Sequence, residues 1–195
     1  MRSATSTDRV PALWGFAEAT LFFVVPDVWI SHVAVRHGLR AGLTASAGAL
    51  AGALAGGAVM HRWGTHDRDG AVAVMLRLPA IDGAMVVEVD DEVRRRGAAA
   101  LLLGPLRGRP YKLYAVAAGH RGVLLRHLRA WTIPGRLARF ALSALAAATA
   151  RRVLRAHLGL RARTAASWLT WAGIYALLWT LGPGRGADLT APRRA

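Results

Sequence analysis

The chain lacks several residue types and motifs that would indicate common kinds of site. Its 195 residues include no cysteine, so neither disulfides nor thiolate metal sites can form. The seven histidines show no HExxH pair and no clustered ligand spacing. We therefore expect no metal ion and no cofactor. Lysine is almost absent as well: Lys112 is the only one among 26 basic residues.

The motifs of common enzyme classes are also missing. The glycines between Gly104 and Lys112 have neither the spacing of a Walker motif nor a Ser or Thr after the lysine. No G-x-S-x-G nucleophile elbow is present. Two isolated acids in a hydrophobic segment do not make a glycosidase. We expect no enzymatic activity.

Charged and apolar residues are separated into blocks along the chain. Hydrophobic residues make up 54% of the sequence, yet the net charge is +15. Such segregation is expected where the surroundings change from water to lipid along the chain. The arginines flank apolar segments and do not form a stripe interleaved with aromatics, so anionic headgroups are simpler partners than nucleic acid. A basic nucleic-acid module is the weaker alternative and would require a soluble fraction.

Long apolar segments predict transmembrane helices at about residues 41–60, 130–150 and 164–182. The first contains twenty residues without a charge. At 1.5 Å per residue these cover about 30 Å, the thickness of the hydrocarbon layer. Gly48, Gly52 and Gly56 recur at every fourth residue, which favours close packing of another helix in lipid.

Two further segments, at about residues 14–35 and 97–120, combine short apolar runs with a proline-containing break. The first includes "EATLFFVVPDVWI", with Pro26 and Asp27 inside its most apolar part, and the second includes "GPLRGRPYK". Unwound backbone at membrane depth is tolerated only where protein or a water-filled cavity satisfies it. We interpret both segments as re-entrant helical hairpins.

The order of these segments predicts an internal repeat. Each hairpin is followed by a basic connector, at residues 36–40 and 121–129, and then by an alanine-rich helix. Two such halves inserted from opposite faces form the inverted-repeat plan of many transporters. The expected fold is an all-α, polytopic membrane protein with two inverted repeats and a C-terminal transmembrane helix.

The remaining segments complete the predicted organisation. Residues 81–96 have an apolar period of four and predict an amphipathic helix on the membrane surface, with a strand at 84–89 as the alternative. The polar, glycine-containing residues 61–77 predict a loop. The predicted regions are an N-terminal cytoplasmic segment at 1–13, a membrane domain at 14–184 and a disordered tail at 185–195. The arginine-rich residues 151–163 are expected in the cytoplasm by the positive-inside rule.

Four stretches of the sequence resemble one family. "FFVVPDVWI", "GALAGALAGGAVMHRWG", "GRPYKLYAVAAG" and "PGRLARFAL" are similar to the YqaA-like branch of the DedA superfamily, the SNARE-associated or VTT domain membrane proteins. The resemblance covers roughly residues 14–154. It implies a protein that moves lipids across membranes, as in undecaprenyl-phosphate recycling, membrane-potential or pH homeostasis, and phospholipid scrambling. It also implies functional roles for an acidic pair, Glu18 and Asp27, and an arginine pair, Arg136 and Arg139.

The predicted site consists of two carboxylates and four cations: Glu18, Asp27, Arg109, Lys112, Arg136 and Arg139. An ionisable residue at membrane depth costs about 2.5–3.5 kcal/mol on insertion scales, so it usually faces a cavity and a partner. We expect Asp27 to face Arg136 or Arg139 across a polar cavity at the membrane midplane. A desolvated carboxylate there can carry a proton, and an arginine can hold a phosphate through two hydrogen bonds.

Four of these residues have a simpler interpretation. Asp27 can cap the helix that follows Pro26. Glu18 can be a solvated acid at the membrane interface, and Arg136 and Arg139 can extend to lipid headgroups.

Taken together, the sequence predicts a multi-pass protein of the inner (plasma) membrane. Its predicted function is translocation or scrambling of a lipid or lipid phosphate resembling undecaprenyl phosphate, coupled to protons. The expected partners are anionic or phosphate-bearing membrane lipids, without nucleic acid. The alternative is a membrane scaffold or envelope-homeostasis factor that transports nothing, in which the inward charges only hold the hairpins together.

Overall fold

The computed structural model describes residues 6–79, 81–104 and 107–181. Regular secondary structure in these ranges is entirely helical, as predicted, and the alternative strand at 84–89 is wrong. The α-helices are α1 (Ser6–Thr20), α2 (Asp27–His37), α3 (Leu39–His66), α4 (Arg68–Met75), α5 (Gly83–Arg96), α6 (Ala100–Leu103), α7 (Tyr111–His120), α8 (Leu125–Leu154) and α9 (Leu160–Leu181). A short 3-10 turn, Gly97–Ala99, precedes α6.

Helix α3 lies at the centre of the fold and packs through its glycines. A Cβ on Gly52 would collide with the carbonyl of Ala12 in α1, and one on Gly64 would collide with the carbonyl of Val116 in α7. The absence of side chains at these positions lets the three backbones meet directly. α1 therefore packs along one part of α3 and α7 along another.

Helices α3 and α8 run antiparallel. Near the start of α3, the Ser46 hydroxyl lies 3.3 Å from the carbonyl oxygen of Phe140, which is in the second half of α8. Near the end of α3, His61 Nε2 lies 2.6 Å from the carbonyl oxygen of Val123, just before α8. The start of one long helix thus meets the end of the other.

Both predicted hairpin segments contain a helix, a break and a second helix. In the first, the indole of Trp14 in α1 donates to the Val24 carbonyl at 2.9 Å, which folds the turn back on α1. Pro26 and Pro110 directly precede α2 and α7, respectively. α2 then packs against α8, and α7 packs against α3. The second helix of each hairpin therefore contacts the long helix of the other half.

Several predicted boundaries are wrong. The loop predicted at residues 61–77 is helical, because α3 continues to His66 and α4 follows at once. The carboxylate of Asp67 accepts the backbone N–H of Gly70 at 2.9 Å and so caps α4. The N-terminal segment predicted at 1–13 contains about half of α1, which begins at Ser6. Much of the predicted connector at 121–129 belongs to α8, which begins at Leu125.

The predicted amphipathic helix at 81–96 is present as α5. The Asp82 carboxylate caps it by accepting the N–H of Met85 at 2.7 Å. Its apolar side chains Val86, Val89 and Val93 are buried, and α5 packs on α7. Protein therefore covers the apolar face that was expected to lie on the membrane.

Helix α3 is, in the part of the chain that the structure describes, the one helix both long and apolar enough to cross a bilayer. The segments predicted to span at 130–150 and 164–182 lie in α8 and α9, except residue 182, which falls outside the described ranges. Both helices carry large apolar side chains on the protein surface, including Leu142, Leu145, Leu169, Leu177 and Leu178. The tail predicted at 185–195 also lies outside the described ranges.

Candidate functional site

One face of α8 carries the polar residues of the candidate site. Thr132, Arg136, Arg139, Phe140 and Ser143 are spaced by three or four residues and so fall on the same side of the helix. This face is directed toward both hairpins. It holds two arginines one turn apart, each paired with a different carboxylate of the first hairpin.

The first pair joins Arg136 to Glu18 of α1. The Arg136 guanidinium donates from Nη2 to Glu18 Oε2, and the two side chains are only 4% and 8% exposed. The guanidinium also lies 4.6 Å from the ring centroid of Tyr111, a cation–π contact. Two of the simpler interpretations are therefore wrong: Glu18 is not a solvated interfacial acid, and Arg136 does not extend to headgroups.

The second pair joins Arg139 to Asp27 at the start of α2. Nη2 of Arg139 lies 2.8 Å from Oδ2 of Asp27, and the Ser143 hydroxyl donates to Asp27 Oδ1 at 2.6 Å. Asp27 is 4% exposed, whereas Arg139 is 25% exposed. Asp27 therefore faces Arg139, but in direct contact and not across the cavity that was expected between them. Its interpretation as a helix cap is wrong, since α2 has no capping side-chain hydrogen bond.

Lys112 connects the second hairpin to the turn of the first. The residue is 3% exposed, and its ammonium donates to the carbonyl of Phe22 at 2.7 Å. The charges of Glu18 and Arg136 both act electrostatically on this ammonium group. Three cations thus meet two carboxylates at this point, one positive charge in excess.

Arg109 does not join this group. Its guanidinium pairs with Glu92 and Glu88 of α5, with 2.5 Å between Nη2 and Glu88 Oε2. The Tyr114 hydroxyl also donates to Glu92, at 2.6 Å. The prediction that Arg109 belongs to the central site is therefore wrong. The physical reason is that the two α5 carboxylates, one turn apart, supply the opposite charge nearby.

The environment of Glu92 favours its charged form. Burial alone would raise the pKa of this carboxyl. Hydrogen bonds from Tyr114 and Arg109, together with the positive charges of Arg109 and Arg107, outweigh burial and lower the pKa below its ordinary value. Glu92 is thus a fixed negative charge that holds the turn before α7.

Four hydroxyl residues of the site were not predicted: Tyr111, Thr132, Ser143 and Tyr175. Thr132 donates to the Tyr111 hydroxyl at 3.1 Å, and the Tyr175 hydroxyl of α9 accepts the backbone N–H of Val25 at 2.8 Å. Helix α9 therefore touches the turn that precedes Asp27. For Thr132 and Ser143 a signal existed, because each lies four residues from one of the two arginines on the same face of α8.

The arrangement has the chemistry of an anion site. Nε and Nη1 of Arg136 and Nε and Nη2 of Arg139 are buried without a hydrogen-bond partner among the described residues, as is Oδ2 of Asp27, which Arg139 contacts through an ion pair alone. Buried N–H groups are normally satisfied, and guanidinium groups match the oxygens of phosphate and carboxylate. The spare donors and the excess positive charge both suit a phosphate-bearing ligand.

Comparison of the chain with protein-family models, with curated proteins and with solved structures finds no match. The resemblance to the DedA superfamily therefore rests on the four sequence stretches alone.

Proposed function

We propose that the chain is a polytopic membrane protein of the DedA type that translocates a lipid or lipid phosphate across the plasma membrane with proton coupling. The observation that carries the proposal is the buried cluster at the meeting point of the two hairpins. There Glu18 and Asp27 pair with Arg136 and Arg139, and buried N–H groups remain without acceptors.

Placement in a membrane is supported by the outer surface of the fold. Soluble proteins rarely expose contiguous apolar patches larger than a few hundred Å². In this chain α8 and α9 present leucines with exposed fractions such as 63% for Leu142, 71% for Leu169 and 60% for Leu178. In a bilayer these side chains would contact lipid, while α3 crosses through the centre of the protein.

The inverted-repeat plan is supported by an exchange of partners between the halves. α2 follows Pro26 and packs on α8, whereas α7 follows Pro110 and packs on α3. The antiparallel direction of α3 and α8 is what two halves inserted from opposite faces would produce. An arrangement of this kind places a binding site between the halves.

The proposed mechanism uses the ion pairs as replaceable partners. A lipid phosphate entering the site accepts hydrogen bonds from Arg136 and Arg139. Protonation of Glu18 or Asp27 removes the negative charge that competes for each guanidinium, so binding of the phosphate and of the proton favour each other. Release of the proton restores the ion pair and displaces the phosphate.

A scaffold that transports nothing is the second candidate. It is favoured by the fact that both carboxylates already have arginine partners within the chain. In that case the pairs only hold the hairpins against α8.

Reconstitution into lipid vesicles separates the candidates. We expect the purified chain to accelerate the transfer of a fluorescent phosphate-bearing polyprenyl lipid between leaflets relative to protein-free vesicles. A pH difference across the membrane should change this rate, and a polyprenyl alcohol without the phosphate should not be accelerated. If transfer is no faster than in protein-free vesicles, the transporter is excluded and the scaffold is the remaining candidate. Recovery of the chain in the soluble fraction without detergent would contradict the membrane placement.

A further inference from the structure

One end of the fold carries arginines and no acid. This basic end consists of residues 36–40, where α2 ends and α3 begins, and residues 151–163, from the end of α8 to the start of α9. Together they contain seven arginines, and the sequence has no Asp or Glu between residues 28 and 66 or between 93 and 181. The ends of α2 and α8 meet here, since Ala34 and Val35 pack on Ala147. In the described ranges no carboxylate pairs with these arginines.

The turn between α2 and α3 is shaped to receive Arg151. Gly38 has φ 92°, a left-handed conformation that favours glycine. A Cβ on Gly38 would lie only 2.9 Å from Nη1 of Arg151. The absence of a side chain therefore lets this guanidinium lie directly against the backbone of the turn.

Arg163 is held beside Arg151 and is itself buried. The residue is 9% exposed, and its Nη1 lies 3.3 Å from the Arg151 carbonyl oxygen, to which it donates. Its Nε is buried and has no hydrogen-bond partner among the described residues. A buried charge without a counter-charge is costly, so an anion at this position would stabilise the folded chain.

We propose that the phosphate of an anionic phospholipid binds at the basic end, on Arg151 and Arg163. The lipid source is favoured over free phosphate by Leu158 and Leu160, which lie between the two arginines in sequence and are 37% and 44% exposed. These leucines offer an acyl chain an apolar contact next to the charged group. The proposal rests on the membrane placement proposed above, but not on translocation.

The test measures binding to the full-length chain in detergent by native mass spectrometry and by the midpoint of thermal unfolding. Phosphatidylglycerol should bind and raise the midpoint, whereas phosphatidylcholine and inorganic phosphate should do neither. Arg163→Gln should weaken binding of phosphatidylglycerol by about tenfold or more, the effect expected from a charge-assisted hydrogen bond. Arg161→Gln is the matched control: it removes the same charge from an exposed residue of the same helix and should weaken binding by less than about threefold.

A conservative variant tests the geometry of the site. Arg163→Lys keeps the charge but loses the planar fork, so binding should fall well below that of the wild type. This variant also serves if Arg163→Gln does not yield folded protein by gel filtration. Wild-type affinity in Arg163→Lys, or equal losses of affinity in Arg163→Gln and Arg161→Gln, would contradict a specific site. Binding would then reflect general electrostatic attraction between the basic end and anionic lipid. Inorganic phosphate as effective as the lipid would overturn the lipid assignment.

The outcome is separable from that of the proposed function. Arg163→Gln should still transfer lipid between leaflets if the central cluster does so, and Asp27→Asn should still bind phosphatidylglycerol at the basic end. Loss of transfer by the wild type would leave the binding comparison between Arg163→Gln and Arg161→Gln intact.

Discussion

The two hairpins have a similar outline, but charges hold them in different ways. In the first, Glu18 and Asp27 pair with arginines of α8, in the buried region where the two halves meet. In the second, Arg109 pairs with Glu92 of α5, close to the surface and within its own half. Lys112 connects the second hairpin to the first by donating to the carbonyl of Phe22. The charges of the two hairpins therefore have different roles. Those of the first hairpin belong to the central site, whereas Arg109 of the second hairpin fixes it to the neighbouring helix α5.

The largest effect is expected from breaking the more buried pair of the first hairpin. Arg136→Ala leaves the Glu18 carboxylate without its partner, and breaking a buried pair typically costs about 3–5 kcal/mol. We expect a large drop in the thermal unfolding midpoint in detergent, together with loss of lipid transfer. Arg129→Ala, on an exposed part of the same helix, is the control. Equal stability of the two variants would show that Glu18 does not depend on Arg136.

Removing the charge of Asp27 should slow transfer strongly, at a smaller cost in stability than Arg136→Ala. Asn retains an oxygen that can accept from Ser143 but no longer attracts Arg139, which is one-quarter exposed and can reach water. We expect Asp27→Asn, and likewise Arg139→Ala, to slow lipid transfer in vesicles by about tenfold or more, equivalent to about 1.4 kcal/mol. Asp69→Asn, at an exposed acid, should transfer lipid normally. Full activity of folded Asp27→Asn would exclude a role for this charge.

Breaking the anchor of the second hairpin should affect stability but not transfer. Arg109→Gln removes hydrogen bonds to Glu92 and Glu88 and should lower the free energy of unfolding by about 1–2 kcal/mol. Lipid transfer by the folded variant should stay within about twofold of the wild type. A loss of transfer as large as that of Asp27→Asn would mean that both hairpins serve the site directly.

The smallest effect concerns the pH dependence of this anchor. The pKa of Glu92 is lowered by the folded state, so ionised Glu92 contributes stability that is complete above its ordinary value of 4.5. This contribution is lost as the pH falls through the lowered value. We expect Glu92→Gln to be less stable than the wild type near neutral pH, with the difference in the free energy of unfolding shrinking as the pH falls below the ordinary value of 4.5. If the difference in stability between the two proteins does not change with pH, the charge of Glu92 does not contribute to stability.

The sequence predicts those parts of the fold that depend on local pattern. The charge-free run at 41–60 and the period of four in α5 indicate their helices directly. The pairing of Asp27 with Arg139 was also accessible, because few partners exist for an acid in so apolar a segment. The partner of Arg109 could not be predicted from the sequence, because it depends on how α5 packs against α7.

The errors at helix ends have a different origin. Residues 61–77 are polar and contain glycine, so hydropathy alone indicates a loop. The continuation of α3 depends on Gly64 fitting against α7, and the start of α4 depends on the cap formed by Asp67. The sequence does not indicate Tyr175, because its hydrogen bond with the Val25 N–H joins residues 150 positions apart.

The glycine contacts of α3 also restrict which movements the fold can make. Sliding of α1 or α7 along α3 would drive their side chains against Gly52 or Gly64. Gly42 makes a similarly close contact with Ala34 of α2 and Ala144 of α8, so the glycines of α3 oppose sliding of the helices on both sides. The pair of Glu18 with Arg136 and the pair of Asp27 with Arg139 are therefore kept in position by the same central helix.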